Sequence, residues 1–282
     1  MKLLTLNTHS LQEENYAEKL EWFIDRILTE QPDVIAMQEV NQTISAPKAP
    51  PHMHRGLMQL SHGVPLREDN HAAVIAKRLH LAGIPVSWAW QPIKIGYGKY
   101  DEGLAILCLN HKIRHAEAFR ISSVDEYTNW KTRKVLGVQL EDMDDWFYTV
   151  HMGWWNDSEE PFRHQWKTLS RMLFEKQKKA PVWLMGDFNG PAEVRHESYD
   201  LIDRSGWLDT YLLAREKDGG MTVRGVIDGW RDKIAEPEKL EGMRIDQIWC
   251  SHSVPVLSSK VIFNGENGPV VSDHFGIEIE TP

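Results

Sequence analysis

The stretch VWLMGDFNG, residues 182–190, carries the strongest structural signal in the sequence. It opens with a continuous apolar run, which predicts a strand buried on both faces. Gly186 and Asp187 end that strand, and a buried carboxylate there is costly unless it is paired or bound to a metal. The ordinary alternative is a turn, because Asp and Asn favour turns and Gly190 supplies a positive φ. The stretch therefore predicts either a turn or a site at the mouth of a buried sheet.

A second buried strand, in the first half of the chain, has the same arrangement. Residues 34–37 are apolar and are followed by Gln38 and Glu39, and a predicted helix precedes each of the two strands. The first helix spans 16–30, with apolar residues at helical spacing, and the second begins at Pro161. Buried strands that alternate with helices in this way indicate a sheet covered by helices.

The remaining apolar runs predict further strands and helices, and no low-complexity linker divides the chain. We therefore predict one domain over residues 1–282, an α/β sandwich of two packed mixed sheets with helices outside. Residues 41–66 show little periodicity, so we expect an irregular excursion there, and we expect 41–100 to form part of a cleft rim. Further strands are predicted at 2–6, 86–95, 104–109, 135–140, 146–150, 244–250, 256–263 and 274–280, and further helices at 70–81 and 197–204.

The composition limits the classes of function. Lys plus Arg number 32 and Asp plus Glu number 41, so the formal net charge is −9. An acidic chain lacks the basic footprint of a protein that tracks duplex DNA, which counts against nucleic acid as the usual substrate but leaves a local basic groove possible. The apolar run at the N-terminus is too short for a signal peptide, and no run approaches the roughly 18 apolar residues of a membrane span.

The cysteines and the histidines of the first third of the chain do not predict a metal site. Cys108 and Cys250 lie in strand-like stretches, so we expect buried free thiols and a cytoplasmic protein that does not bind membranes. The spacing of four histidines in the first third of the chain fits no structural zinc site, and we predict that they are solvated. They are His52, His54, His62 and His71.

Polar side chains end several other predicted strands. Taken singly, Glu39 is well explained as a solvated strand end, and Asp273 with His274 as a surface pair. Taken together, the set offers the oxygen ligands that Mg²⁺ or Mn²⁺ prefers beside a substrate phosphate. It also offers histidines with carboxylates, which serve as general acids and bases. The set comprises Asn7, Gln38, Glu39, His151, Asp187, Asn189, Asp246, Asp273 and His274.

The order of these motifs resembles that of the endonuclease/exonuclease/phosphatase superfamily, which includes DNase I-like nucleases, sphingomyelinases and sugar phosphatases. The resemblance runs from Asn7 to His274, and it implies a four-layered α/β sandwich and divalent-metal-dependent hydrolysis of a phosphate ester. Two further runs, 100–107 (YDEGLAIL) and 151–157 (HMGWWND), look like the bacterial branch that contains maltose 6′-phosphate phosphatase.

The resemblance and the residue chemistry imply the same metal and water roles. Glu39, with Asn7 beside it, would hold a Mg²⁺ or Mn²⁺ ion that binds a phosphate oxygen. Asp273 would add a second metal contact. Asp187 would orient and activate the attacking water, and Asn189 would steady the phosphoryl oxygens.

The histidines take the remaining roles. His274 would donate to a phosphate oxygen, with its orientation and tautomer set by Asp246. His151 would protonate the leaving oxygen or bind phosphate. Glu102 resembles the acidic partner that some family nucleases give this histidine.

Three classes of phosphate ester compete. A small sugar-phosphate monoester is favoured by the acidic charge and by Trp154, Trp155 and Asn156, because indoles stack on sugar rings and amides bond hydroxyls. Arg133 would contact a phosphate or lie in a solvated turn. Trp88, Trp90 and Trp130 are predicted to be core residues. The alternatives are a magnesium-dependent nuclease, which would need a basic groove, and a sphingomyelinase-like lipid phosphodiesterase.

Overall fold

A computed structural model describes residues 1–60, 63–225, 230 and 241–282 of the chain. Two mixed sheets form most of this part of the protein. Its strands, in chain order, are β1 (Lys2–Asn7), β2 (Val34–Thr43), β3 (Val86–Gly96), β4 (Tyr100–Leu109), β5 (Ile113–Arg120), β6 (Lys134–Leu140), β7 (Trp146–His151), β8 (Val182–Asp187), β9 (Leu208–Asp209), β10 (Ala214–Lys217), β11 (Val223–Arg224), β12 (Gly242–Met243), β13 (Asp246–Cys250), β14 (Val256–Ile262) and β15 (Gly276–Glu280).

The α-helices are α1 (Tyr16–Glu30), α2 (His71–Leu81), α3 (Phe162–Gln177), α4 (Ser198–Arg204) and the short α5 (Thr210–Leu213). The first sheet has the strand order β10-β14-β15-β1-β2-β4-β3, and the second has the order β5-β6-β7-β8-β13-β9. β11 and β12 pair separately.

Three apolar clusters divide the described residues into four layers. The central cluster joins Val34 and Ile106 of the first sheet to Phe147 and Met185 of the second. A second cluster packs α1 and α2 on the outer face of the first sheet, and a third packs α3 and α4 on the outer face of the second sheet. The predicted α/β sandwich with helices outside is therefore confirmed.

The predicted helices are present because their apolar periodicity and capping residues agree with the tertiary packing. Asn70 caps α2 by accepting a hydrogen bond from the Ala73 amide at 3.1 Å, as its side-chain oxygen predicts. Cys108 and Cys250 are buried free thiols, as expected. The histidine prediction is wrong at His71, which is buried and lies 3.0 Å from the Tyr16 hydroxyl. His62 lies outside the described residues.

The predicted strands err mainly in length. β2 runs on to Thr43 because the strand continues past its bulge. β4 begins at Tyr100 because it pairs with that extension, with Tyr100 opposite Thr43. β5 has no counterpart among the predictions, since this edge strand has only one fully buried residue, Ile113. The predicted excursion at 41–66 is partly ordered, with a 3-10 helix at Pro51–His54.

Two bulges face each other across β4 at Gly103. The β2–β4 register shifts between Met37 and Val40, and the β3–β4 register shifts between Pro92 and Lys94. A bulge re-aims a side chain by placing two residues opposite one. A Cβ atom on Gly103 would collide with the Gln91 carbonyl oxygen, so glycine permits the close approach of β3 at this level.

Candidate active site

A cavity of about 250 Å³ opens at one end of the sandwich and contains most of the predicted site residues. The bulge in the middle of β2, the ends of β3, β7 and β8, the start of β4, and the residues before β6 and β15 all reach it. The predicted residues that line it are Glu39, Glu102, Arg133, His151, Trp154, Asp187, Asn189, Asp273 and His274.

Strand register brings the polar strand ends to one level. His151 pairs with Asp187 across the parallel strands β7 and β8, and Asp246 pairs with Asp187 across the antiparallel strands β8 and β13. Gln38 joins the two sheets beneath the cavity, because its amide donates to Thr5 Oγ1 at 3.2 Å and to Thr149 Oγ1 at 2.8 Å. The two sheets are thus tied together below the residues that face the cavity.

Asp187 Oδ2 is the point on which the site converges. The amides of Asn7 and Asn189 donate to it at 3.2 and 3.5 Å, and the Nε2 atoms of His151 and His274 lie at 3.6 and 3.9 Å. Burial, together with the negative charge of Asp246, raises the pKa of Asp187 to about 7, although His274 opposes the shift. The carboxyl group is therefore poised to exchange a proton near neutral pH.

Asp246 and His274 form a buried pair behind this point. His274 Nδ1 donates to Asp246 Oδ2 at 2.9 Å, which leaves Nε2 directed towards Asp187. Burial lowers the pKa of His274, but the charges of Asp246 and Asp187 outweigh that effect and raise it well above its usual range. The ring is held as an imidazolium whose free N–H faces the site.

Glu39 lies on the acidic side of the cavity. It occupies the β2 bulge with φ at 51°, an uncommon backbone conformation that turns its carboxylate out of the strand. Burial and the charges of Glu102 and Asp273 raise its pKa, so three acidic groups act on one another here. Such a set of oxygen donors fits a divalent cation, which would relieve the repulsion.

Asn7 supports Glu39 with its nitrogen atom. The Asn7 amide donates to Glu39 Oε1 at 3.0 Å, while its oxygen accepts from the His9 backbone N–H at 3.3 Å. In this arrangement Asn7 orients Glu39 and Asp187, and its side-chain oxygen does not face the Glu39 carboxylate. Binding a cation through Asn7 would require the amide to rotate.

His9 is a site residue that the sequence analysis missed, although it lies only two residues after Asn7. Its Nδ1 donates to Glu13 Oε1 at 2.6 Å and lies 3.8 Å from Asp273 Oδ1. Burial lowers the pKa of His9, but Glu13, Asp273 and Glu39 outweigh it and raise the value to about 9. His9 is therefore protonated at neutral pH and partly balances the acidic side.

The opposite side of the cavity is basic. Lys94 and Arg133 are buried and line it, and the β3 bulge places Lys94 there. Glu102 pairs with Lys94, with Nζ 3.1 Å from Oε1. Within the described residues no ion pair joins Glu102 to His151, so the structure corrects the predicted partnership. Glu102 lies on β4 of the first sheet and His151 on β7 of the second, and the register of β4 with β3 pairs Glu102 with Lys94.

His151 is held neutral by its surroundings. Burial and the positive charges of Arg133, Lys94 and His274 lower its pKa well below the usual range. A neutral imidazole can donate one hydrogen bond and accept another, but it is a poor acid and is not suited to protonating a leaving group at neutral pH. Of the two predicted roles, the surroundings favour phosphate binding.

Aromatic residues close the rim. Trp130 and Trp154 line the cavity with ring centroids 5.6 Å apart in an edge-to-face contact. Trp130 is 48% exposed, so its prediction as a core residue is wrong, whereas Trp88 and Trp90 are buried as predicted. Tyr97, at the turn after β3, also lines the cavity.

Trp155 and Asn156 lie away from the described cavity lining. Trp155 packs against Phe162 with centroids 6.3 Å apart and has Arg163 over its ring, and Asn156 is exposed. The chain turns after Trp154, so only that residue of the predicted run faces the cavity. Trp230 is a further residue missed from sequence, and its indole N–H donates to Asn189 Oδ1 at 3.0 Å.

Comparison with known proteins gives a consistent result. Residues 4–274 match the profile of the Endonuclease/Exonuclease/phosphatase family. A protein of that family from Leptotrichia buccalis is 34% identical, with a TM-score of 0.84 over 100% of this chain and 99% of that one. A search of curated proteins found no match.

Two more distant structures share the fold. The mannosyl-6-phosphatase of Bacteroides thetaiotaomicron is 17% identical, with a TM-score of 0.66, over 100% of this chain and 99% of that one. TDP2 from Caenorhabditis elegans is 15% identical, with a TM-score of 0.59, over 99% of this chain and 73% of that one. Among the described residues, no helix has the length and apolar character needed to cross a bilayer.

Proposed function

The chain belongs to the endonuclease/exonuclease/phosphatase family of phosphoester hydrolases, and from that premise we propose that it is a divalent-metal-dependent phosphatase acting on a sugar phosphate. The observation that carries the proposal is the convergence of Asn7, His151, Asn189 and His274 on one oxygen of Asp187. A buried carboxylate surrounded by donors at hydrogen-bonding or near-hydrogen-bonding distance is suited to holding a small nucleophile.

The metal would be held on the acidic side of the cavity. Glu39 supplies the central carboxylate, Asp273 an additional oxygen, and Asn7 an amide that orients Glu39. A bound Mg²⁺ or Mn²⁺ ion polarises a phosphate oxygen and neutralises charge that develops during hydrolysis.

The remaining residues provide proton transfer and orientation. Asp187, with a pKa of about 7, accepts a proton from an attacking water and keeps the water close to phosphorus. The Asn189 amide nitrogen is fixed by the Met152 carbonyl at 3.0 Å, so it cannot swing away as phosphate enters. The His274 Nε2–H supplies a charge-assisted donor to a phosphoryl oxygen, while Asp246 holds its ring.

Several features support a sugar phosphate over nucleic acid. The cavity is small, and Trp130 and Trp154 at its rim offer indole surfaces to a sugar ring. The net charge of −9 disfavours a polyanion. The fold relative from Bacteroides thetaiotaomicron is named a mannosyl-6-phosphatase, and we extend that substrate class to this chain. The buried free thiols Cys108 and Cys250 suit the cytoplasm, where we place the protein.

A phosphate-release screen tests the proposal. The purified protein with magnesium is assayed on phosphorylated sugars, nucleotides and plasmid DNA, with Asp187→Asn as the inactive comparison and the exposed-residue variant Arg120→Met as the matched control. We expect inorganic phosphate from at least one sugar phosphate and no nicking of DNA. Cleavage of plasmid DNA without release of phosphate from any sugar would identify a nuclease. Activity that is retained in Asp187→Asn would remove Asp187 from the mechanism.

A further inference from the structure

Two buried cations on the basic side of the cavity share a single neutral acceptor. Lys94 Nζ and Arg133 Nη1 both donate to the Trp130 carbonyl oxygen, at 3.1 and 3.5 Å. Lys94 is 7% exposed and Arg133 is 5% exposed. Arg133 Nε is buried without a hydrogen-bond partner, and within the described part of the chain no carboxylate lies in ion-pair contact with this guanidinium.

Only one of the two cations has a carboxylate in direct contact. Glu102 contacts Lys94 at 3.1 Å and can neutralise its charge, whereas the charges of Glu102, Asp187 and Glu39 act on Arg133 from farther away. His151 nearby is neutral and adds no charge. A buried charge is costly without a counter-ion in contact, so the Arg133 guanidinium is suited to taking an anionic ligand. The pKa values of both cations are lowered, first by burial and, for Lys94, also by Arg133.

Backbone contacts fix the positions from which the two cations reach the cavity. The Arg133 amide donates to Ser122 Oγ at 2.9 Å, and the Arg133 carbonyl accepts from the Ile121 amide at 3.0 Å. The bulge in β3 fixes Lys94 beside its cross-strand partner Glu102. These contacts reduce the entropy lost on binding an anion, because the donors are oriented beforehand.

We propose that Lys94 and Arg133 bind the peripheral oxygens of a dianionic phosphate monoester and thereby select monoesters over diesters. A monoester carries three non-bridging oxygens and two negative charges, whereas a diester carries two such oxygens and one charge. A buried guanidinium that has an unpartnered N–H and no carboxylate in contact can recognise the third oxygen and the second charge. The inference rests on the proposed phosphatase function and deepens it.

The pair belongs to the same phosphoryl site as Asp187. His151 links them, because its Nε2 lies 3.6 Å from Asp187 Oδ2 and its pKa is lowered by the charges of Arg133 and Lys94. All of these groups line the one cavity. The two cations are therefore within reach of the phosphate that undergoes attack, and a separate phosphate farther along a polymer is not required to explain them.

Kinetics on two synthetic esters with the same leaving group test the inference. We compare kcat/KM for 4-nitrophenyl phosphate and methyl 4-nitrophenyl phosphate at pH 8 with magnesium. In Arg133→Met the ratio of monoester to diester kcat/KM should fall by about 10- to 100-fold, the loss expected for one charge-assisted hydrogen bond. Lys94→Met should lower the ratio in the same direction. Arg120→Met, which removes an exposed guanidinium paired with Asp125, should leave it unchanged.

An equal loss on both esters, or no loss on either, would overturn the inference. Arg133→Lys keeps the charge but lacks the planar fork, and we expect it to fold and to show an intermediate ratio. A ratio equal to that of the unaltered protein in both Arg133→Lys and Arg133→Met would also overturn it.

Calorimetry separates this inference from the proposed function. Inorganic phosphate and dimethyl phosphate are titrated into the unaltered protein, Arg133→Met and Arg120→Met, each with magnesium. We expect phosphate to bind more tightly than dimethyl phosphate, with the preference lost only in Arg133→Met. If the protein hydrolyses neither ester yet shows this preference, the proposed function fails and the inference stands. If the unaltered protein shows no preference for phosphate, the inference fails even where hydrolysis is intact.

Discussion

Replacing Glu102 by Gln should destabilise the ligand-free protein more than replacing its ion-pair partner Lys94 by Met. Both side chains are 8% exposed and their charged atoms are 3.1 Å apart, so solvent screens the pair weakly. Glu102→Gln leaves two buried cations, Lys94 and Arg133, without a carboxylate in ion-pair contact. Lys94→Met leaves Glu102 with Arg133 still nearby, and the charge of Glu102 already acts on that guanidinium.

The expected magnitudes follow from the cost of breaking a buried pair. Removal of one partner typically costs about 3–5 kcal/mol because the other charge is left uncompensated. We expect Glu102→Gln to lie in that range and Lys94→Met to cost about 1–3 kcal/mol less, since Arg133 takes over part of the pairing. The double variant Lys94→Met/Glu102→Gln removes one charge of each sign and leaves Arg133 as it was, and we expect it to lie within about 2 kcal/mol of the unaltered protein.

Urea unfolding of the unaltered protein, the two single variants and the double variant, with a metal chelator present, measures these differences. The slope of unfolding free energy against urea should be the same for all four, so that midpoints report stability alone. The double-mutant cycle should give a large coupling between Lys94 and Glu102. Phosphate should stabilise Glu102→Gln more than the unaltered protein, because an anion replaces the missing carboxylate. If the two single substitutions lower the free energy of unfolding additively, or by equal amounts, the proposed ion-pair arrangement of Lys94, Glu102 and Arg133 is refuted.

Three further predictions concern the metal, the reaction and the buried histidine of α2. Glu39→Gln should raise the magnesium concentration needed for half-maximal phosphate release, and an unchanged magnesium titration would remove Glu39 from the ligands. His274→Ala should lower kcat by at least about 100-fold with folding intact, the usual contribution of a positioned proton donor, and near-normal turnover on the true substrate would contradict its role. Burial lowers the pKa of His71 to about 3, whereas in the unfolded chain the value is near 6.5. Below about pH 6.5 the unfolded state therefore binds a proton that the folded state does not, and the free energy of unfolding should fall by about 2 kcal/mol between pH 7 and pH 5. Urea unfolding of the unaltered protein and His71→Leu at both pH values measures the loss, and equal pH dependence in the two proteins would refute it.

Much of the candidate site could be predicted from the sequence because several of its residues interrupt or end buried strands. Asn7 and Asp187 each lie at the end of an apolar run, and Asp246 lies within one, so the change from apolar to polar is visible in the sequence. The structure brings them together because strand pairing aligns those ends, as in the register of Asp246 with Asp187. The helices could be predicted from their periodicity and from the cap at Asn70.

The basic side could not be predicted in the same way. Lys94 lies within a strand whose pattern gives no sign that one residue turns inward, and the bulge between Pro92 and Lys94 exists only through pairing with β4. Trp130 is separated from Trp154 in the chain, and their contact depends on how two loops fold over the same rim.

The sequence by itself therefore determined which strands are buried and which polar residues end them, because hydrophobic periodicity and strand ends are local properties. Tertiary structure alone decided the partner of Glu102, the turn of Glu39 into the cavity and the neutral state of His151. These features depend on the register between strands that are distant in the chain and on nearby charges from other strands, and neither can be read from the order of residues.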